Sequence, residues 1–106
     1  MSVVRINAIT VPAGAGDELH RRFEQRVGEV ETMEGFEGFE LLKPSDDTDT
    51  WYVYTRWASE AAFMAWVQSP AFARGHAEAE QQPVAHGAAL LSFDVVLEAT
   101  PTRTEA

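Results

Sequence analysis

One helical turn separates Phe72 from His76, so an imidazole shares the side of a helix with an aromatic ring. A histidine in that position is either satisfied by its neighbours or exposed to a pocket as a metal ligand. A bare zinc ion would want further ligands close by, and this stretch offers no second one. A heme brings four nitrogens of its own and needs only one from the protein. Just upstream, Phe63 and Trp66 fall on the core-facing side of the preceding helical stretch.

Asn7 is the second oddity. It interrupts VVRINAITV, Val3 to Val11, an apolar and β-branched run in which asparagine is disfavoured. A buried amide left unpaired costs roughly 1–3 kcal/mol, so Asn7 either bonds nearby backbone or is a donor reserved for a ligand or bound oxygen. The residues alone leave both readings open. The third candidate is a pair of arginines. On a helix Arg26 lies about 60° and Arg22 about 100° around from Phe23, so both border an apolar stripe. They make either a clamp for an acidic group whose greasy body packs on Phe23, or an ordinary solvated edge with Glu18 and Arg22 as an i,i+4 pair. Weaker candidates remain. His20 falls on the exposed side of that helix and His86 in a loop, while Met33 and Met64 read as packing residues. Asp46, Asp47 and Asp49 lack the glycine and terminal glutamate of a calcium loop and read as a solvated turn. There is no Ser-His-Asp set, phosphate loop or dinucleotide fingerprint.

The elements that must hold these residues can be read from periodicity. Val3 to Val11 predicts a strand closed by the turn Pro12 to Gly16, and Leu19, Phe23, Val27 and Val30 predict a helix from about Asp17 to Thr32. Phe36–Leu42 and Trp51–Trp57 predict a hairpin around the polar turn Pro44 to Asp49. Ser59 is a suitable N-cap for a helix through Ala62, Phe63, Trp66 and Val67. Pro70 predicts a kink or restart before a further stretch to Gln81. A loop from Pro83 to Gly87 leads to a last strand, Ala89 to Leu97. The order βαββαβ predicts one ferredoxin-like α+β domain over residues 1–98, a four-stranded antiparallel sheet with its helices on one face, and a disordered tail over 99–106. On the other face Val4, Ile6, Ala8, Leu91, Phe93, Val95 and Leu97 alternate as apolar residues, which predicts a homodimer closed as a dimeric α+β barrel.

Composition narrows the partners. With 17 acidic against 8 basic residues among 106, the formal charge is −9, which repels nucleic acid and anionic membranes. An anionic ligand therefore needs the few arginines concentrated where it binds. The absence of cysteine removes thiolate sites, iron–sulfur ligation and disulfides. The opening Met1 to Val11 reads as neither signal peptide nor membrane span, so a cytoplasmic location is expected.

Asn7, Trp66 and His76 stand within VVRINAITVPAGAG, EGFEGFELLKP, TRWASEAAFMAW and PVAHGAALLSFDVVLE. In these segments the chain resembles the heme-degrading monooxygenases of the antibiotic-biosynthesis-monooxygenase-like superfamily, nearer their mycobacterial branch than their staphylococcal one. The likeness runs to about Leu97. It implies an enzyme, a heme oxygenase that takes heme as substrate and cofactor and opens the ring with O2 and electrons from an external reductant. A bilin-type product and iron are released. It implies His76 as axial ligand to the heme iron, and Asn7 as a hydrogen-bond donor to oxygen on the opposite side. Trp66 would press the porphyrin out of plane, and Arg22, Phe23, Arg26 and Phe63 would make pocket and propionate contacts. One departure stands out: relative to the mycobacterial pattern there is an extra residue around Arg74 to Glu80, so ten positions separate Trp66 from His76. Heme number and cleavage product therefore do not carry over. Two rivals share the fold. A cofactor-free monooxygenase acting on an aromatic or quinol substrate would use Asn7 and Trp66 but not His76, and a non-catalytic heme carrier would bind without turnover.

Overall fold

The β-branched opening run forms strand β1, Val3–Thr10, in the computed structural model, which describes residues 1–81 and 87–102. With β2 (Phe36–Leu42), β3 (Thr50–Trp57) and β4 (Gly87–Asp94) it makes an antiparallel sheet in the order β2-β3-β1-β4. Helix α1 (Gly16–Arg26) fills the first crossover, and α2 (Glu60–Val67) and α3 (Pro70–Gln81) share the second. This is the expected ferredoxin-like α+β arrangement. No helix among the described residues is long and apolar enough to cross a membrane.

Caps explain the break in the second crossover. Ser59 Oγ accepts a hydrogen bond from the Ala62 amide at 3.2 Å and starts α2 as expected. Ten residues on, Ser69 Oγ donates to the Trp66 carbonyl at 2.6 Å and accepts from the Phe72 amide at 3.2 Å. It thus closes one helix and opens the next. Pro70, which has no N–H to lose, takes the first position of α3, so the chain restarts rather than kinks.

Two expected boundaries are corrected. The helix expected to reach Thr32 stops at Arg26, and Val27 turns extended and is 57% exposed. Gly28 follows at φ +114°, a conformation that suits glycine, before a short 3-10 turn, Val30–Thr32. Val30 still reaches the core, but from a different element. The last strand begins at Gly87 and ends at Asp94, not Leu97, because its partner runs out: Val3 lies opposite Asp94. One further bond, from the Val95 amide to the Ser2 carbonyl at 3.0 Å, follows, and Val96 and Leu97 are exposed. The expected loop residues 83–86 and tail residues 103–106 lie outside the described residues.

The core is divided in two. Under α1, Ile9, Val11, Leu19 and Trp51 are buried, with Phe23, Leu41 and Val53 packed against them. A Cβ on Gly16 would meet the Trp51 ring at 2.6 Å, so only glycine lets the start of α1 settle on that indole. Under α2 and the 3-10 turn, Val3, Val30 and the fully buried Trp57 carry Met33, Phe36, Ala62, Phe63 and Trp66. Met33 thus packs as expected, whereas Met64 is 42% exposed, on the solvent side of α2.

On the sheet face away from the helices, the register aligns Val4, Ile6 and Ala8 with Phe93, Leu91 and Ala89 on one side and with Arg56, Tyr54 and Tyr52 on the other. Phe93, Tyr52 and Leu42 are substantially exposed there. At one corner Arg56 pairs with Glu37 at 3.0 Å and with Glu98. The Ser2 hydroxyl donates to Glu37 at 2.7 Å, and this bond, with Arg56, holds the Glu37 carboxyl below its ordinary range.

Candidate functional site

Side chains alternate along β1, so Val3, Arg5, Asn7 and Ile9 share the helix side of the sheet. Val3 belongs to the core under α2 and Ile9 to the core under α1, which leaves Arg5 and Asn7 between them. Asn7 is half-buried, and among the described residues its side chain makes no hydrogen bond. Its cross-strand neighbours are Val53 on β3 and Leu90 on β4. Leu90 is 58% exposed, and Ser92 and Asp94, which share its side of β4, are exposed as well. The helices therefore cover β1 at its ends and leave the inner side of β4 bare. The Asn7 amide stands at the border of that open strip, which presents Leu90 beside Ser92 and Asp94.

The other wall is aromatic. Phe63 meets Trp57 edge to face at 6.0 Å, and Trp66 packs on the same core. Across the Ser69 cap Trp66 meets Phe72 edge to face at 5.8 Å. Phe72 lies against the His76 ring at 4.0 Å with 32° between planes. His76 is exposed. The expectation that His76 points where Phe72 points is met, and a run of aromatic contacts ties the imidazole back to the core under α2. A ring braced in this way loses rotational freedom while its nitrogens stay reachable, which suits a metal ligand.

The α1 candidates sit elsewhere. Phe23 packs in the core under α1 and tilts against Phe39 at 5.8 Å. Arg22 is buried, with Nε 3.2 Å from Glu18 Oε1, so the i,i+4 pair is formed. Hydrogen bonding from Arg21 first, and then from Arg22, holds the Glu18 carboxyl below its ordinary range. The Arg26 side chain lies outside the described residues. Phe63, Trp66 and His76 are thus brought together through Phe72 and Trp57, Asn7 faces the same side of the sheet, and Phe23 and Arg22 belong to the other half of the core.

Two residues of this region escaped sequence reasoning. Arg5, a charge inside an apolar strand two positions before Asn7, is only 8% exposed, and the signal for it was its place in the run VVRINAITV. Leu90 gave none, since an exposed leucine is visible only once the helices are placed. Elsewhere His20 is exposed and 3.4 Å from Glu24. Asp46 accepts from the Thr48 amide at 3.0 Å and hydroxyl at 2.8 Å, a self-contained turn that holds its carboxyl low. No cluster of three or more metal-ligating side chains occurs among the described residues, and His86 lies outside them.

Comparison with known proteins follows the same lines. The family model for antibiotic biosynthesis monooxygenases matches residues 2–78. The chain is 52% identical over 98 residues to the heme oxygenase (mycobilin-producing) of Mycobacterium tuberculosis, covering 92% of both chains. Against the heme-degrading monooxygenase of Bacillus cereus it is 36% identical over 83 residues, 76% of this chain and 77% of that one. Among solved structures, the heme-degrader of Mycobacterium tuberculosis with two hemes bound in its active site matches with a TM-score of 0.79 at 51% identity, covering 92% of this chain and 99% of that chain.

Proposed function

This chain belongs to the antibiotic biosynthesis monooxygenase family, and on that footing we propose that it is a heme-degrading monooxygenase whose substrate is taken at the bare strip beside Asn7. The observation that carries the substrate class is the 52% identity, over 92% of both chains, to a heme oxygenase. The described residues fit a porphyrin. An open strip of sheet carrying Leu90 and the Asn7 amide, which makes no hydrogen bond among the described residues, faces the helix side, and an accessible imidazole ends an aromatic run on the neighbouring helices.

Bound heme supplies both the carbon skeleton to be opened and the iron at which O2 is activated. The work of the chain is then to bind, orient and exclude water. His76, its ring held against Phe72, would offer one imidazole nitrogen to the iron. Asn7 keeps an amide donor for oxygen at the reacting face, and no protein group competes for it among the described residues. Trp66 and Phe63 would supply rigid surface against a bound macrocycle, with Trp66 pressing on it. By the family likeness, Arg22 and Arg26 on α1 would answer the two propionates, Arg22 by leaving its pair with Glu18, with Phe23 behind them, and would thereby locally offset the chain's overall charge of −9. Electrons come from a separate reductant, and the products are iron and a bilin-type tetrapyrrole. The apolar outer face around Val4, Ile6, Leu91 and Phe93 pairs with a second copy as a dimeric barrel, in the cytoplasm. Residues 1–98 form the working domain.

Hemin titration into the purified protein, followed by ascorbate under air, tests this reading. A sharp Soret band that bleaches with release of iron is expected. A band that forms and survives reduction makes the protein a carrier, and no band at all favours a cofactor-free monooxygenase.

A further inference from the structure

Arg5 is an expensive residue to keep. Its side chain is 9% exposed, yet its carboxylate partner, Glu60, lies 3.7 Å away and is itself 72% exposed. An ion pair so loosely made returns little of the cost of burying the charge, and an apolar side chain of the same volume is often neutral or stabilising at such a place. What Arg5 does have is reach. Nη1 donates to the Val4 carbonyl at 3.0 Å and to the Phe93 carbonyl at 3.2 Å, which anchors the guanidinium on both β1 and β4. The same plane lies 5.5 Å from the centre of the Phe63 ring, on α2, with Glu60 at the start of that helix.

Resting on the heme-degrading reading, we infer that Arg5 is a positioning residue that sets the spacing between Asn7 on β1 and Trp66 on α2. Asn7 stands two positions further along the same side of β1, roughly 7 Å away. Trp66 stands one turn beyond Phe63 on the same side of α2. A strut fixed to two strand carbonyls and set over Phe63 holds the helix at one distance from the strand, and the separation of the Asn7 amide from the Trp66 indole follows from that distance. A methionine at position 5 would fill the volume but anchor nothing.

The test is hydrogen–deuterium exchange of the α2 amides in the apoprotein, read beside thermal unfolding and the Soret band of the hemin-loaded protein, for Arg5→Met, Arg5→Lys and Glu60→Gln. For Arg5→Met the unfolding midpoint is expected to stay within about 3 °C of wild type. The α2 amides exchange about tenfold faster while those of β1 and β3 do not, and the Soret band shifts or broadens. Lysine keeps a cation over Phe63 without bridging both carbonyls and restores part of the protection. Unchanged α2 exchange with an unchanged Soret band in Arg5→Met overturns the inference, as does faster exchange spread evenly over all elements. Should Arg5→Met fail to fold, Arg5→Lys decides: exchange faster than wild type and confined to α2 supports the strut, and wild-type exchange overturns it, with Glu60→Gln as the control for loss of charge at the start of α2. Because exchange is read without heme, wild-type protein that takes up no hemin defeats the heme reading and leaves the result on Arg5 standing apart.

Discussion

At its ends β1 is sealed: Ile9 and Val11 close against Leu19 and Trp51, and Val3 lies beneath Trp57 and Val30. In its middle Asn7 is half-buried, its amide without a hydrogen bond among the described residues, and the neighbouring Leu90 is open to solvent. One strand therefore divides its residues between sealing the core and facing an open strip of the sheet. On the proposed function that open middle is where the tetrapyrrole is taken, at some cost in buried apolar surface.

The strongest way to break the comparison is at a sealed end. Trp57→Ala removes the one fully buried large side chain and is expected to destabilise by about 3–5 kcal/mol in urea unfolding. A loss below about 1 kcal/mol would show that stability is held elsewhere. At the other end Leu19→Ala is expected to cost about 2–5 kcal/mol, and a negligible cost would leave the α1 half of the core without its assigned role.

The open middle should answer in the opposite sense. Asn7→Ala is expected to change stability by no more than about 0.5 kcal/mol, since no hydrogen bond to the described residues is lost, yet to slow hemin turnover about 100-fold. A variant as active as wild type would remove Asn7 from the site. A large loss of stability would make it a structural amide after all.

How far the sequence revealed this division varies by residue. Asn7 stood out as an amide in a β-branched run and His76 as an imidazole beside Phe72 on one helix side, whereas Trp66 was marked out only by the family resemblance; β2 and β3 were legible as aromatic-rich runs on either side of a polar turn. The end of α1 was not. Val27 and Val30 continue the apolar spacing that predicts helix, and only the positive φ of Gly28 shows that the chain has left it. The end of β4 depends on the length of β1, and the exposure of Leu90 on where the helices stop, so neither is local information. Arg5 escaped notice because alternation does not say which side the helices will cover.

The smallest expected effect concerns the rim. Glu37, held low by Ser2 and Arg56, Glu18, held low by Arg21 and Arg22, and Asp46, held low by Thr48, all lie away from the sealed cores. A carboxyl whose folded pKa is depressed stabilises above its unfolded value and loses that contribution as pH falls through the folded value. The unfolding midpoint should therefore be insensitive to these groups above about pH 5 and decline below about pH 4. Glu37→Gln with Glu18→Gln should flatten that decline slightly, and an unaltered acid slope would assign it to other groups.

The most direct measurement is hemin titration of His76→Ala with and without added imidazole. Loss of the Soret band that wild type shows, and its return when free imidazole enters the vacated space, is the expected result. An undiminished band in His76→Ala would contradict it, because the iron would then be held by something other than the imidazole stacked on Phe72.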